Sequence, residues 1–315
     1  MSRLPAAISI DNLDVAEIPR IPIICGPTGA GKTDAALKLA EKYPIEIISA
    51  DSRQIIKHLN IGTGKPTVAE QNKVPFHLID VIEPGERYSA MRFLVDATRA
   101  IKDILGRGKM PVIVGGTGLY LNVLANGVIE IEEEEFAIRQ QLEEDLNRLG
   151  ANHMWEQLQA IDPLEAAKVH PNNTVRLIRA LEIFRQTGKT KSDLIATGVY
   201  KKSGYLFDWY CLAQPREILY ERINGRVDKM IEAGLLNEVT GLLTAGMGTK
   251  QALSAVIGYG ELIRHIEGHY SIDEAIAMIK QNSRRYAKRQ LTWFRNQVKS
   301  TFFTEGDSLT RLVAL

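Results

Sequence analysis

The chain has 315 residues, 45% hydrophobic and 24% charged, a balance that excludes disordered and fibrous classes and leaves room for two domains. No run approaches the roughly 20 uncharged apolar residues that span a bilayer, and Met1 to Pro19 carries acidic groups where a secretory leader would be apolar, so a soluble, non-exported, cytoplasmic protein is expected. A net charge of +1, from 39 basic and 38 acidic residues, announces no polyanionic partner by itself.

Residues 1–20 are set apart as an N-terminal extension without assigned function. From there strands and helices alternate, the pattern of a parallel sheet. Ile21 to Cys25 is an apolar strand, followed by a Gly-rich turn and a helix from Lys32 to Lys42. Ile45 to Ala50 is a second strand that ends at Asp51, and Phe76 to Val81 a third. Ser89 to Leu105 is a helix with Met91, Leu94, Val95, Ile101 and Leu105 on one stripe, stopped by Gly106. Pro111 to Val114 is a fourth strand, running into Gly115-Gly116-Thr117-Gly118. Between Gly127 and Ser203 the strand signal disappears, and breaks at Gly150, Pro163, Pro171 and Gly188 divide the segment into helices. Strand chemistry returns from Tyr205 to Leu212, and the remainder is helical, with Ser271 and Glu274 in capping-box spacing at the start of the last long helix. Cys25 and Cys211 lie in apolar runs and are expected as buried thiols.

Gly26-Pro27-Thr28-Gly29-Ala30-Gly31-Lys32-Thr33 fits G-x-x-x-x-G-K-[ST] and sits after a strand and before a helix, the context that motif requires. Small residues let backbone N–H groups point at phosphate oxygens, and the helix start adds partial positive charge. Lys32 supplies a cation to the phosphate and Thr33 a hydroxyl to Mg²⁺. The fold expected is therefore α/β, a P-loop nucleoside-triphosphatase-like parallel sheet core (21–126 and 204–315) with an inserted all-helical domain (127–203).

Nucleotide hydrolases usually place a Mg²⁺-organising Asp at the end of a further apolar strand. Here that strand ends in glycines, and the acid stands elsewhere, in Ser49-Ala50-Asp51-Ser52-Arg53-Gln54. At the carboxyl end of a parallel strand Asp51 is placed to act as a metal ligand or a general base, or to cap the turn that follows. Charge is also segregated. Lys280, Arg284, Arg285, Lys288, Arg289, Arg295 and Lys299 form a basic block free of Asp and Glu, with Tyr286, Trp293 and Phe294 interleaved, while Glu130, Glu132 to Glu135, Glu143, Glu144 and Asp145 form an acidic stretch. Solvated helix faces would account for both.

These stretches, together with Asn60-Ile61-Gly62-Thr63-Gly64-Lys65-Pro66, Gly115-Gly116-Thr117-Gly118-Leu119-Tyr120, His170-Pro171-Asn172, Arg176 to Glu182, Ile257-Gly258-Tyr259 and Ala287 to Arg295, resemble the tRNA dimethylallyltransferase (tRNA isopentenyltransferase) family over nearly the whole chain. Ile56 stands where the family often has an aromatic, and Asn173 where it often has Asp. The resemblance implies transfer of a dimethylallyl group from dimethylallyl diphosphate to N6 of the adenosine 3′-adjacent to the anticodon of tRNA, releasing diphosphate. It implies that residues Gly26 to Thr33 hold diphosphate with Mg²⁺ at Thr33, that Arg226 adds a cation with Arg222 as the alternative, that Asp51 takes the amino proton, and that Thr117 orients base or diphosphate. It further implies tRNA contacts from Asp51, Ser52, Arg53, Gln54, Thr117, Arg176, Arg179, Ile257, Gly258, Tyr259, Lys288, Arg289, Gln290, Trp293 and Arg295, the insertion being a tRNA-binding domain. The expected partners are the tRNA anticodon stem-loop and dimethylallyl diphosphate, with no membrane, and the protein is expected to be a monomer. Trp293 and Phe294 suit either base stacking or the core. An adenylate isopentenyltransferase, a P-loop small-molecule kinase and a non-catalytic RNA-binding module are the alternatives; the insertion and basic helix disfavour the first, and a nucleotide-binding assay separates the second.

Overall fold

The computed structural model describes residues 18–129, 136–198, 200–298 and 302–303. Most of the N-terminal extension and the Glu130 to Glu135 acidic run lie outside the described residues, as does Lys299. In chain order the elements are β1 (Arg20–Cys25), α1 (Lys32–Ala40), β2 (Ile45–Ala50), α2 (Val68–Lys73), β3 (Phe76–His77), α3 (Ala90–Gly106), β4 (Met110–Gly115) and α4 (Gly118–Asn126). There follow β5 (Val128–Ile129), α5 (Phe136–Ile161), α6 (Pro163–Ala166), α7 (Thr174–Thr187), α8 (Lys191–Ala196) and β6 (Tyr200–Lys201). The chain ends with β7 (Leu206–Leu212), α9 (Arg216–Glu232), α10 (Leu235–Thr244), α11 (Lys250–Ser254), α12 (Tyr259–Ile266), α13 (Ile272–Gln297) and β8 (Phe302–Phe303).

The chain divides into two compact units, one holding the residues up to Asn126 and from Ser203 onward, the other Gly127–Lys202. The first is built on a six-stranded sheet in the order β3-β2-β4-β1-β7-β8, every neighbouring pair parallel. Its central strands are enclosed on both faces: β2 is buried at all six positions, Glu46 and Ser49 included, and β1 at every position after Arg20. Cys25 and Cys211 are buried thiols on facing positions of β1 and β7.

The third strand is shorter than the apolar run suggests. Only Phe76 and His77 pair with β2, because Leu78 (φ 60°) and Asp80 (φ 55°) enter the left-handed region, and Val81 and Ile82 then donate to Ile55 instead. That detour brings the Asp80 carboxylate to within 2.5 Å of the enclosed Lys65 ammonium. Ser89 caps α3 through the Arg92 N–H, and Gly106 is its last helical residue; Gly108 (φ 69°) makes the left-handed exit.

The inserted unit is helical apart from a two-residue antiparallel ribbon, β5 with β6, at its ends. Gly150 (φ 85°) splits α5 into two helices, Pro163 opens α6 behind the Asp162 cap, and Gly188 (φ 66°) closes α7, each break coinciding with its sequence signal. Its core is Leu142, Met154, Leu158, Val169, Leu177 and Leu181. Among these apolar groups Glu182 is fully buried and is neutralised by Arg179 at 2.8 Å, with Arg139 at 3.6 Å.

Candidate active site

The carboxyl ends of β1, β4 and β2 lie side by side, and the loops leaving them make the site. After β1 the chain enters the Gly-rich turn. Gly26 (φ 144°) passes so close to β7 that a Cβ would sit 2.4 Å from the Leu212 carbonyl, so only glycine fits. Gly31 (φ 90°) occupies the cap position of α1 without offering a side chain, which leaves the first N–H groups of the helix to an external anion. Lys32 folds back on the turn, its Nζ donating to the Pro27 carbonyl at 2.8 Å. Burial pulls its pKa down to about 8, against the opposing pull of Asp51, while nearby Arg226 depresses it further.

Arg226 on α9 is the second cation. Its Nη2 donates to the Thr63 carbonyl at 3.4 Å, and Gly64 (φ 59°) lies so close to the guanidinium that a Cβ would meet Nη2 at 1.7 Å. Burial lowers its pKa and the charges of Asp51 and Asp34 oppose that fall. Arg222, one helical turn earlier, is exposed, so the geometry places Arg226 and not Arg222 beside Lys32 and Asp51.

Asp51 leaves β2 at the head of a turn that one of its carboxylate oxygens caps. Its Oδ1 accepts from the Arg53 N–H at 2.8 Å and the Gln54 N–H at 3.4 Å, capping the turn. Its Oδ2 has no hydrogen bond among the described residues. Thr117, from the loop after β4, accepts from the Ser52 N–H at 3.0 Å, and the Thr117 N–H donates to the Ala50 carbonyl. The Tyr286 hydroxyl lies near Thr117, and burial raises the Tyr286 pKa. Each glycine around Thr117 has a steric reason: a Cβ would meet the Ala50 carbonyl at Gly115 (2.2 Å), the Gln290 amide at Gly116 (2.5 Å) and the Trp293 ring at Gly118 (2.4 Å).

Several residues expected at the tRNA surface are placed elsewhere. Gln290 is 8% exposed, accepting from the Thr28 N–H and donating to the Gly116 carbonyl, each at 2.9 Å, so both ends of its amide are engaged within the protein. Tyr259 is 0% exposed; its ring packs on Gly62 and its hydroxyl donates to Glu238 at 2.5 Å. Gly258 is buried at the cap of α12, and Ile257 packs on the same core as Tyr259. The Gln54 side chain spans Ser49 Oγ (3.0 Å) and the Gly64 carbonyl (3.0 Å). Phe294 is core, and Trp293 stands against it edge-on, centroids 5.2 Å apart. Arg179 is held by Glu182, whereas Arg176 is exposed. Arg53 is exposed, with its guanidinium on the Ala255 carbonyl at 3.4 Å.

On α13 the basic block divides. Lys280 is paired with Asp228 at 2.6 Å and Arg284 donates to Asn224 at 2.7 Å, while Lys288, Arg289 and Arg295 are exposed and Arg289 lies over the Tyr286 ring at 5.6 Å. Sequence reasoning missed Glu238, Gln290 as a clamp, and Tyr286 beside Thr117. The family stretches held Gln290, and the basic block Tyr286, but nothing along the chain separates a residue that touches substrate from one that shapes the loop touching it.

No cluster of three or more His, Cys, Asp or Glu suited to a metal exists among the described residues. The Thr33 hydroxyl, half-buried in the first turn of α1, makes no hydrogen bond among them. One free hydroxyl beside an anion site fits Mg²⁺ held mainly through diphosphate oxygens and water, the usual habit of that ion.

The profile of the family described as "IPP transferase" matches residues 54–297, and that described as "Isopentenyl transferase" matches 19–80. The "tRNA dimethylallyltransferase 1" of Syntrophotalea carbinolica is 44% identical over 288 residues, covering 91% of each chain. The crystal structure of a tRNA delta(2)-isopentenylpyrophosphate transferase from Staphylococcus epidermidis superposes with a TM-score of 0.66 at 37% identity, covering 94% of this chain and 98% of that one. A eukaryotic dimethylallyltransferase acting on tRNA superposes with a TM-score of 0.76 at 31% identity, covering 87% of this chain and 69% of that one.

Proposed function

Because the chain belongs to the IPP transferase family, we propose a division of labour among its site residues for the family reaction. The enzyme is a prenyltransferase that transfers a dimethylallyl group to N6 of the adenosine 3′-adjacent to the tRNA anticodon, and diphosphate leaves. The donor in this reading is dimethylallyl diphosphate, seated with its diphosphate on residues 26–33. As the allylic C–O bond breaks, negative charge grows on the departing oxygens, and a cation already in place there lowers the barrier without reorganising. Lys32 and Arg226 are those cations. Mg²⁺ held at Thr33 would supply further charge neutralisation.

N6 attacks the freed carbon while one of its protons passes to Asp51 Oδ2, so the new N–C bond and the lost N–H bond balance. Thr117, fixed by the Ser52 N–H, orients the incoming base. A stacked base cannot reach this position, so the adenosine is extruded, at a cost of a few kcal/mol that phosphate contacts offset. Those contacts are assigned to Lys288, Arg289, Arg295 and Arg176. Action as a monomer is part of the reading, as is a cytoplasmic location; no helix among the described residues is long and apolar enough to cross a membrane.

The observation that carries this reading is the convergence of Lys32, Arg226 and Asp51 within one another's electrostatic reach at the strand ends. Incubation with labelled dimethylallyl diphosphate and either tRNA or AMP as acceptor tests it. Label in tRNA and not in AMP is expected; label in AMP alone would overturn the assignment.

A further inference from the structure

Asn60 to Gly64, the loop that meets Arg226, is gripped from behind by one carboxylate. Glu238, half-buried on α10, accepts from the backbone N–H groups of Asn60 (3.1 Å), Ile61 (2.9 Å) and Gly62 (3.3 Å). The Tyr259 hydroxyl adds a fourth donor at 2.5 Å. Successive N–H groups converging on an anion form the nest by which backbones hold phosphates, and here the anion is the protein's own. The grip is transmitted rigidly. Gly62 lies so close to the Tyr259 ring that a Cβ would meet it at 2.3 Å, and two residues later Gly64 lies against the guanidinium with the Thr63 carbonyl accepting from Arg226 Nη2.

We propose that Glu238 is a positioning residue for the reaction: by fixing the 60–64 loop it seats Arg226 at the diphosphate end of the site. The proposal rests on the role given to Arg226 above. A carboxylate suits the task because both oxygens accept and neither donates, so it can serve three N–H groups and a hydroxyl together. A glutamine offers one acceptor and turns an NH₂ toward donors.

The test is a double-mutant cycle on the full chain. Glu238→Gln is expected to lower kcat by up to about 100-fold, the scale set by small misplacements of a reacting group, and to weaken inhibition by inorganic pyrophosphate in parallel, while tRNA affinity stays unchanged. In an Arg226→Ala background the same substitution should cost no more than about 2-fold, because the residue it positions is already gone. Tyr259→Phe, which keeps the ring against Gly62 and deletes one donor, should act in the same direction with a smaller loss, and it carries the cycle should Glu238→Gln fold poorly. A loss that multiplies undiminished onto Arg226→Ala overturns the positioning role while leaving Arg226 as a catalytic cation. Full activity of Arg226→Ala alone instead overturns the reading of Arg226, and the proposal with it.

Discussion

Gln290 accepts a hydrogen bond from the backbone N–H of Thr28 at 2.9 Å, so a residue on the C-terminal helix closes the diphosphate cradle 262 positions earlier in the chain. Its amide nitrogen simultaneously holds the Gly116 carbonyl, tying the loops after β1 and β4 to one side chain. Removing the amide leaves a donor and an acceptor without partners, a cost of about 1 to 3 kcal/mol each when buried. Gln290→Ala is therefore expected to lower the urea midpoint and raise KM for the diphosphate substrate. The affinity for tRNA should not move; a loss of that affinity, with stability intact, would return Gln290 to the RNA surface.

Asp51→Asn separates the two uses of this carboxyl group. Asparagine keeps an oxygen for the Arg53 and Gln54 N–H groups but cannot take a proton from N6. Transfer should fall about 10² to 10⁴-fold, with stability and tRNA affinity nearly unchanged. Asp51→Ala should add about 1 kcal/mol of destabilisation from the lost cap. Near-normal single-turnover transfer by Asp51→Asn would remove the general-base role.

Lys32 gives a pH signature. With a pKa of about 8 in the free enzyme against an ordinary 10.5, the ammonium that receives diphosphate discharges as pH rises through 8. Inhibition by pyrophosphate should weaken above that pH in the parent and lack that step in Lys32→Met; titration of the ligand itself is common to both. Stability has the opposite sign. Between pH 8 and 10.5 the unfolded chain binds more protons than the folded one, so the parent gains stability as pH rises across that window. Denaturant titrations of parent and Lys32→Met at about pH 7 and about pH 10 check this: the parent should close the gap on the variant at the higher pH.

The legible part of this molecule is the part written in local chemistry. A strand, a Gly-x₄-Gly-Lys-Thr turn and a helix in one short stretch declare themselves, and the helix breaks at Gly150, Pro163 and Gly188 follow from single residues. Arg226 and Arg222 are a helical turn apart and equivalent in pattern; only the approach of Gly64, far earlier in the chain, distinguishes them. The Ile257-Gly258-Tyr259 and Gln290 stretches signal importance without direction, since a buried clamp and a substrate contact look alike along a chain. The third strand fails for a related reason: Leu78 and Asp80 carry no glycine to advertise positive φ, and the Lys65 to Asp80 ion pair that accompanies the turn spans two separate loops.

Arg176 and Arg179 share a helix face, yet their environments predict different phenotypes. Arg179 neutralises a carboxylate with no solvent exposure, so Arg179→Ala should cost stability of the inserted unit by a few kcal/mol, moderated by Arg139 nearby. Arg176→Ala should leave the melting temperature in place and weaken tRNA binding. Equal thermal stability of the two variants would contradict the structural role of Arg179.

The RNA grip of α13 can be read by contrasting residues on the same helix. Lys288 and Arg289 are exposed and carry no ion pair among the described residues, whereas Lys280 is already matched by Asp228. Each phosphate neutralised on binding contributes about 0.7 to 0.9 to the slope of log affinity against log salt, according to whether the RNA is single- or double-stranded. Removing both cations together in Lys288→Ala/Arg289→Ala should thus flatten the slope by about 1.4 to 1.8 and weaken tRNA binding, most at low salt. Lys280→Ala should do neither, because its charge is spent inside the protein and its loss frees Asp228 instead of a phosphate. Pyrophosphate inhibition should be unchanged in both variants, since α1 and its Gly-rich turn are untouched. Should the Lys288→Ala/Arg289→Ala protein bind tRNA like the parent at 50 and 200 mM salt, on the order of the range where such contacts differ most, Lys288 and Arg289 are solvated groups and the phosphate contacts fall to Arg176 and Arg295.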